Sequence, residues 1–388
     1  MNTYFADLHI HIGQAGGRPI KITASRALQL KSLLYQDAPS KGLDIVGVVD
    51  AACLPVAREI EEMLESGELR EHPRGGFLAA NGILLIAAAE VESREGAHLI
   101  MYMPGMSSIH RFQKYLQSRV SNMSLSTQRV DTDVNQLVNL KHLVDGVLCP
   151  AHVFTPHKGL YGCCTERLSH LLGRNLGQIS ALELGLSADS DMVDLITECR
   201  RFTFLSNSDA HSSQNVGREY NLLRMREKSF QELQFCLEGY EGRRVMANYG
   251  MDPLLGKYHR SYCPTCNIII QDPPPVKACP VCFSSKLISG VYDRIMEIRD
   301  YDEAHHPINR PPYYHRVPLL AFPGVGKKRA QQLIRRFGSE IQVLEKADLE
   351  EVARVGGSAL AANLGAMRAD RLPISPGGGG FYGKVIGV

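Results

Sequence analysis

The sequence predicts an α/β barrel followed by two smaller modules, and three observations lead there. Between residues 3 and 206, seven apolar, strand-like stretches alternate with segments of helical periodicity. Nearly every stretch carries a histidine, aspartate or glutamate near one end. Beyond residue 250 the pattern gives way to paired cysteines, then to glycine turns beside basic residues.

Thr3 to Ile10 opens the series with Asp7 and His9 and runs into His11. Residues two apart in a strand share a face, so His9 and His11 can grip one ion. Leu43 to Val49 is followed by Asp50, Ile83 to Val91 carries Glu90, and His98 to Met103 begins on His98. Gly146 to His152 ends on His152, Ile179 to Leu186 contains Glu183, and Phe202 to Ser206 precedes Asp209 and His211. Helical periodicity covers Ala24 to Tyr35, Pro55 to Glu65 and Asp131 to Leu143. The alternation fits a doubly wound sheet or a barrel. The ligands favour the barrel, because side chains from nearly every strand converge on one spot at the carboxyl rim of a closed ring. Unpaired buried histidines and carboxylates are costly, so a bound metal is the economical reason for so many. Only seven residues separate Glu90 from His98, too few for a helical crossover. An antiparallel hairpin is expected there, bringing His98 to the rim that holds Glu90.

At 388 residues the chain exceeds the usual single-domain size, so two or three domains are expected. A net charge of +2 gives no global attraction to nucleic acid, and any polyanion site must be local. The apolar run Ile83 to Ala89 falls far short of the roughly 20 residues of a membrane span, so no membrane partner is expected. Met1 to Ala6 lead straight into the first motif without the features of an export signal, which predicts a cytoplasmic protein, nucleoid-associated if prokaryotic. Ten cysteines in such a chain point to one metal knot and several inert thiols.

That knot is Cys263-Pro-Thr-Cys266 and Cys279-Pro-Val-Cys282, whose 12-residue separation matches a four-thiolate zinc ribbon. Four protein ligands leave no open position, so the zinc is expected to be structural. Farther on, Phe322-Pro323-Gly324-Val325-Gly326-Lys327-Lys328-Arg329 leads into an apolar-periodic helix ending at Phe337. It is similar to the helix-hairpin-helix DNA-binding motif, whose turn offers backbone N–H groups to a phosphate. A weaker second copy spans Leu349 to Leu364, with Gly356, Gly357 and Ser358 at its turn. Residues 315 to 370 hold nine Lys/Arg against six acids, a local excess that suits a DNA backbone. The run Gly377 to Gly380 reads as flexible. The expected divisions are a barrel over 1–255, a ribbon over 256–312, a helical DNA-binding region over 313–372 and a flexible tail over 373–388.

The opening His9-Ile-His11, Glu90, the isolated His98 and His152, and the closing Asp209-Ala-His211 resemble the PHP (polymerase and histidinol phosphatase) superfamily. The resemblance implies a distorted (β/α)7 barrel holding two or three divalent ions, zinc, manganese or magnesium, that hydrolyse phosphoesters. It departs at Val49-Asp50-Ala51, where the family often has Thr-Asp-His, and at Gly13-Gln14-Ala15, which offers no strong ligand. The implied metal set is His9, His11, Glu90, His98, His152, Asp209 and His211, with Asp50 as the carboxylate at the departing position; Glu183, without a counterpart in the pattern, is a further candidate, as a ligand or as a group supporting one. Glu90 would bridge the ions, Asp209 would bind or accept a proton, Asp7 would orient a neighbouring histidine, and His11 counts with these three as a catalytic candidate. With the ribbon and paired hairpins added, almost the whole chain resembles the endonuclease Q family. That resemblance implies nicking of double-stranded DNA 5′ of uracil, hypoxanthine, xanthine or an abasic site. Phe154, His157 and Tyr161, after His152, are candidates to contact the flipped base. The competing readings are a small-molecule phosphatase and a catalytically silent DNA-binding scaffold.

Overall fold

Seven strands close a ring in the computed structural model, which describes residues 1–388. They are β1 (Asn2–Ile10), β2 (Ile45–Val48), β3 (Leu84–Glu92), β4 (His98–Met103), β5 (Val147–Pro150), β6 (Ala181–Glu183) and β7 (Thr203–Leu205). β1, β2 and β3 run parallel, as do β6 and β7. β4 runs antiparallel to both β3 and β5, and Glu92 faces His98 across the expected hairpin. The ring is completed where Val153 N donates to the Glu183 carbonyl (2.9 Å) and His11 N to the Ala210 carbonyl (2.9 Å).

Both faces of these strands are buried, which explains their almost continuous apolar sequences. Leu84, Ile86 and Ala88 alternate into one core with Leu8, Ile100 and Tyr102, plugged by Phe230 and Leu233. The intervening Leu85, Ala87, Leu99 and Met101 pack outward against helices α1 (Leu54–Glu65), α2 (Met106–Leu116) and α3 (Val134–Leu143). Asp133 caps α3 by accepting from Gln136 N, so that helix starts beyond the expected Asp131. The helix expected over Ala24 to Tyr35 lies instead over residues 30–41, partly as a π-turn. Residues before it are held at the rim, where Ser25 N donates to the His211 carbonyl (2.7 Å).

Five strands outside the expected seven extend the sheet: β8 (Tyr220–Met225) pairs with the first half of β1, β9 (Arg244–Gly250) pairs with β8, Tyr313–His315 pairs with β9, and Phe77–Ala79 joins Leu69–Glu71 to β3. Glu219, just before β8, is fully buried; one oxygen accepts from Met251 N (2.8 Å) and the other has no partner. Burial pushes its carboxyl up to about 8. The unfolded chain ionises this group near pH 4.5, while the folded chain holds the proton to about pH 8. Stability from Glu219 is therefore complete below pH 4.5 and is lost as pH rises through that window, by up to about 5 kcal/mol. Melting temperatures at pH 6 and pH 9 check this: wild type falls across the interval, and Glu219→Gln falls less.

The C-terminal half is less modular than its sequence. The ribbon's two short strands, Tyr262–Cys263 and Ile268–Ile269, enclose only Cys263, Ile270 and Cys279 as buried core. The following helix α4 (Val291–Ile298) buries Val291, Ile295 and Ile298 in the barrel's outer core. Helices α5 (Lys327–Phe337), α6 (Glu340–Glu345), α7 (Leu349–Gly356) and α8 (Ser358–Arg368) surround a separate core of Phe322, Leu333, Val352 and Leu364. The tail is not a loose end: Ile374–Ser375 pairs antiparallel with Lys384–Val385. A Cβ on Gly378 would meet the Ile269 side chain at 2.4 Å, so the glycine run, expected to be flexible, permits close approach to the ribbon. No helix is long and apolar enough to cross a membrane.

Candidate active site

At the carboxyl rim the strand ends bring three groups of ligand atoms together, each group within 4.8 Å: His9, His11 and Glu90; His11, Asp209 and His211; Glu90, His98 and His152. His11 and Glu90 belong to two groups each. The Glu90 Oε1 faces His98 Nδ1 (3.0 Å), His152 Nε2 (3.4 Å) and His9 Nε2 (3.5 Å). Its Oε2 faces His11 Nε2 (3.4 Å) and Lys21 Nζ (3.2 Å) and accepts from Thr127 Oγ1 (2.8 Å). One carboxylate thus serves two sets of partners.

The remaining predicted acids stand behind this cluster. Glu183 lies 3.0 Å from His9 Nδ1 and also accepts from His152 N and Asn207 Nδ2. Asp50 lies 2.9 Å from His11 Nδ1 and accepts from Ile12 N and Ser126 Oγ. Both were expected among the metal ligands, yet neither belongs to a converging group; each is occupied in fixing a histidine Nδ1–H and leaves Nε2 free toward the cluster. Asp7 was expected to orient a histidine ring. It instead accepts from Ser208 N, Gly217 N and His9 N, tying β1 to the loop after β7.

Two rim residues adopt left-handed backbone conformations that side chains other than glycine rarely take: His152 at φ 31° and Asp209 at φ 45°. Gly185 permits the first, since a Cβ there would meet the His152 Cβ at 2.8 Å. The electrostatics favour cations. Burial alone would push His9 down, but Glu183, Asp209 and Glu90 outweigh it and hold the imidazole at about 10. Burial likewise opposes ionisation of Asp209, yet His9, His211 and His11 keep it well below the usual carboxylate range. Burial, with His11 and Lys21 nearby, lowers His211 to about 4. The buried Nδ1 of His152 has no hydrogen-bond partner. A cluster of carboxylates, imidazoles facing one another and an orphaned ring nitrogen fits divalent ions.

The cluster opens into a cavity of about 390 Å³ whose far wall includes His157, Lys158, Lys257, Tyr258 and Tyr382. Of the three aromatics proposed after His152, only His157 reaches it; Phe154 and Tyr161 are buried and stack on each other at 4.9 Å. Lys21, Thr127, Lys257 and Tyr382 were not singled out from the sequence, since no motif spacing links them to the ligands. In the ribbon, Cys263 and Cys282 sulfurs lie 3.7 Å apart and Cys266 and Cys279 sulfurs 3.8 Å apart. Those separations match the edges of a tetrahedron with metal–sulfur bonds of about 2.3 Å, so the cluster suggests zinc.

No protein-family model matches the chain. It is 38% identical over 396 residues to Bacillus subtilis (strain 168) protein YqxK, covering 99% of this chain and 100% of that one. Methanocaldococcus jannaschii MJ0043 is 38% identical over 224 residues, 53% of this chain and 28% of its own. The crystal structure of the lesion-specific endonuclease PfuEndoQ from Pyrococcus furiosus superposes with a TM-score of 0.85 at 31% identity, covering 99% of this chain and 95% of that one. The chain belongs to the endonuclease Q family. A complex of endonuclease Q with a 27-mer duplex carrying an abasic lesion at the active site matches equally, at TM-score 0.85 and 31% identity, over 99% of this chain and 96% of that one. In this endonuclease Q family member the two hairpin turns are also exposed. Gly324 is left-handed (φ 75°) and Gly326 starts α5 without a side-chain cap, next to exposed Lys327, Lys328 and Arg329, with Val325 turned inward. The element before the first turn is only one 3-10 turn, Leu319–Ala321. The second turn is complete, with α7 ending at buried Gly356 and exposed Gly357 (φ 95°) and Ser358 starting α8.

Proposed function

We propose that this protein is a DNA repair endonuclease that nicks the phosphodiester 5′ of uracil, hypoxanthine, xanthine or an abasic site by metal-dependent hydrolysis. The observation that carries the reading is the set of three ligand groups joined through His11 and Glu90 at the floor of a nucleotide-sized cavity, in a chain that superposes end to end on endonuclease Q. His9, His11, Glu90, His98, His152, Asp209 and His211 would hold two or three ions, with zinc, manganese or magnesium as candidates. When bound, such ions acidify water toward neutrality and offset charge developing on the phosphate. Asp209, whose Oδ1 lies 3.4 Å from His9 Nε2 and 3.6 Å from His11 Nε2, would bind an ion or accept a proton. Lys21 Nζ, beside Glu90 and Thr127, adds a positive charge facing the same space. Asp50 and Glu183 fix the His11 and His9 rings, and Asp7 fixes the strand that carries them.

The duplex would lie across the hairpin turns. Uncapped backbone N–H groups at the starts of α5 and α8, with Lys327, Lys328 and Arg329, would take backbone phosphates regardless of sequence. One structural zinc in the four cysteines would hold the ribbon. The test is a labelled duplex with a single deoxyuridine, deoxyinosine or abasic site, incubated with manganese or magnesium beside an undamaged control. A nick immediately 5′ of the lesion, lost on chelation, is expected. Turnover of histidinol phosphate without nicking would favour a small-molecule phosphatase, and binding without hydrolysis a silent scaffold.

A further inference from the structure

The residues opposite the ligand cluster come from two segments that meet only in the fold. Backbone N–H groups of Gly377, Gly383 and Gly380 donate to the carbonyls of Leu254 (2.7 Å), Leu255 (2.9 Å) and Lys257 (3.1 Å). The tail hairpin is thereby zipped along the segment that carries Lys257 and Tyr258. Lys257 Nζ then lies 5.1 Å from the Tyr258 ring centre and 5.7 Å from that of Tyr382. Arg218 approaches the Tyr382 ring at 5.4 Å, while its Nε donates to the Ser208 carbonyl beside Asp209 (2.8 Å). Tyr382 is therefore braced against the turn that presents a ligand, and it keeps 41% of its surface exposed.

An exposed tyrosine held in place by two cations and a backbone zipper is not a core residue. Its exposed side chain lines the cavity. The cavity falls in the roughly 300–1,000 Å³ range of small-ligand pockets, enough for one everted nucleotide and far too small for a duplex. Every base has a π-face, so an aromatic wall accepts pyrimidine and purine lesions alike. Lys257 between the two rings adds a cation that suits the adjoining phosphate.

We propose that Tyr382, carried to the active site by the C-terminal hairpin, is a specificity residue that stacks on the base of the everted lesion nucleotide. The inference rests on the nuclease reading above and goes further, because it separates lesions that have a base from one that has none. A stacked base contributes about 10- to 100-fold in binding, whereas an abasic site offers no ring to stack.

The experiment compares kcat/KM of wild type, Tyr382→Ala and Tyr382→Phe on otherwise identical duplexes carrying deoxyuridine or an abasic site. Tyr382→Ala is expected to lose about 10- to 100-fold on deoxyuridine and less than about threefold on the abasic duplex, with the loss mainly in KM. Tyr382→Phe, which keeps the ring, is expected to stay within about threefold of wild type on both. Equal losses on both duplexes would overturn the stacking role and make Tyr382 a structural prop; no loss on either would overturn it as well. Bound metal per chain, measured on each variant, is expected to be unchanged, and a drop would likewise overturn the role. Wild type that nicks only the abasic duplex would sink the stacking inference alone, while wild type that nicks neither would sink the nuclease reading with it.

Discussion

Glu90→Gln is expected to lower lesion nicking by at least about a thousandfold while leaving the barrel folded. Glu90 presents two faces of one carboxylate to different partners. Oε1 addresses His9, His98 and His152, and Oε2 addresses His11, so the residue is common to two of the three ligand groups. An amide keeps the shape but supplies one neutral acceptor and one donor where two anionic acceptors stood. Ions held by such a ligand contribute several kcal/mol of charge stabilisation, each 1.36 kcal/mol being tenfold in rate. Metal analysis and the nick assay run together are the check: both metal content and rate fall. Glu183→Gln, which acts through the His9 ring and the His152 backbone, is expected to lose about 10- to 100-fold instead. A Glu90→Gln enzyme that keeps more than a tenth of the wild-type rate would remove Glu90 from the centre of the site.

Cys279→Ser is expected to release the ribbon's metal and unfold residues 262–288 without melting the barrel. Three buried residues make up the ribbon's own core, too little apolar surface to hold a fold without its ion. Structural zinc supplies on the order of 10–16 kcal/mol to small cysteine sites, so losing one thiolate removes most of what keeps these residues ordered. Hydrogen exchange followed by mass spectrometry is the measurement: amides over 262–288 lose protection while those of β1 and β3 keep theirs. Because Gly378 and Gly379 rest on Ile269 and Tyr262, the tail hairpin is expected to loosen at the same time. Retained protection in the ribbon would mean that its fold does not depend on the thiolates.

The seven ring strands could be read from sequence because both faces of each are apolar, and the hairpin between Glu90 and His98 because a seven-residue link permits nothing else. The convergence of His9, His11, Glu90, His98, His152, Asp209 and His211 was equally readable, since strand ends share one rim. Which acids face the centre was not. Asp50 and Glu183 occupy strand-end positions like the others, and only ring orientation reveals that they fix Nδ1–H groups. The tail was misread for a physical reason: glycine allows flexibility in solvent and close approach in a packed interface, and sequence alone does not separate the two. β8 and β9 follow the closing motif and present no histidine, aspartate or glutamate, so the ligand pattern does not mark them.

The cavity draws on distant parts of the chain, from Lys21 near its start to Tyr382 near its end, above the fully buried His9 and His11. On the ribosome the residues of the ligand cluster have all been made by residue 211, the side chains that fill the ring's core follow with Phe230 and Leu233, and Tyr382 comes last. Order of synthesis thus sets the ligand cluster well ahead of the last aromatic side chain on the cavity wall.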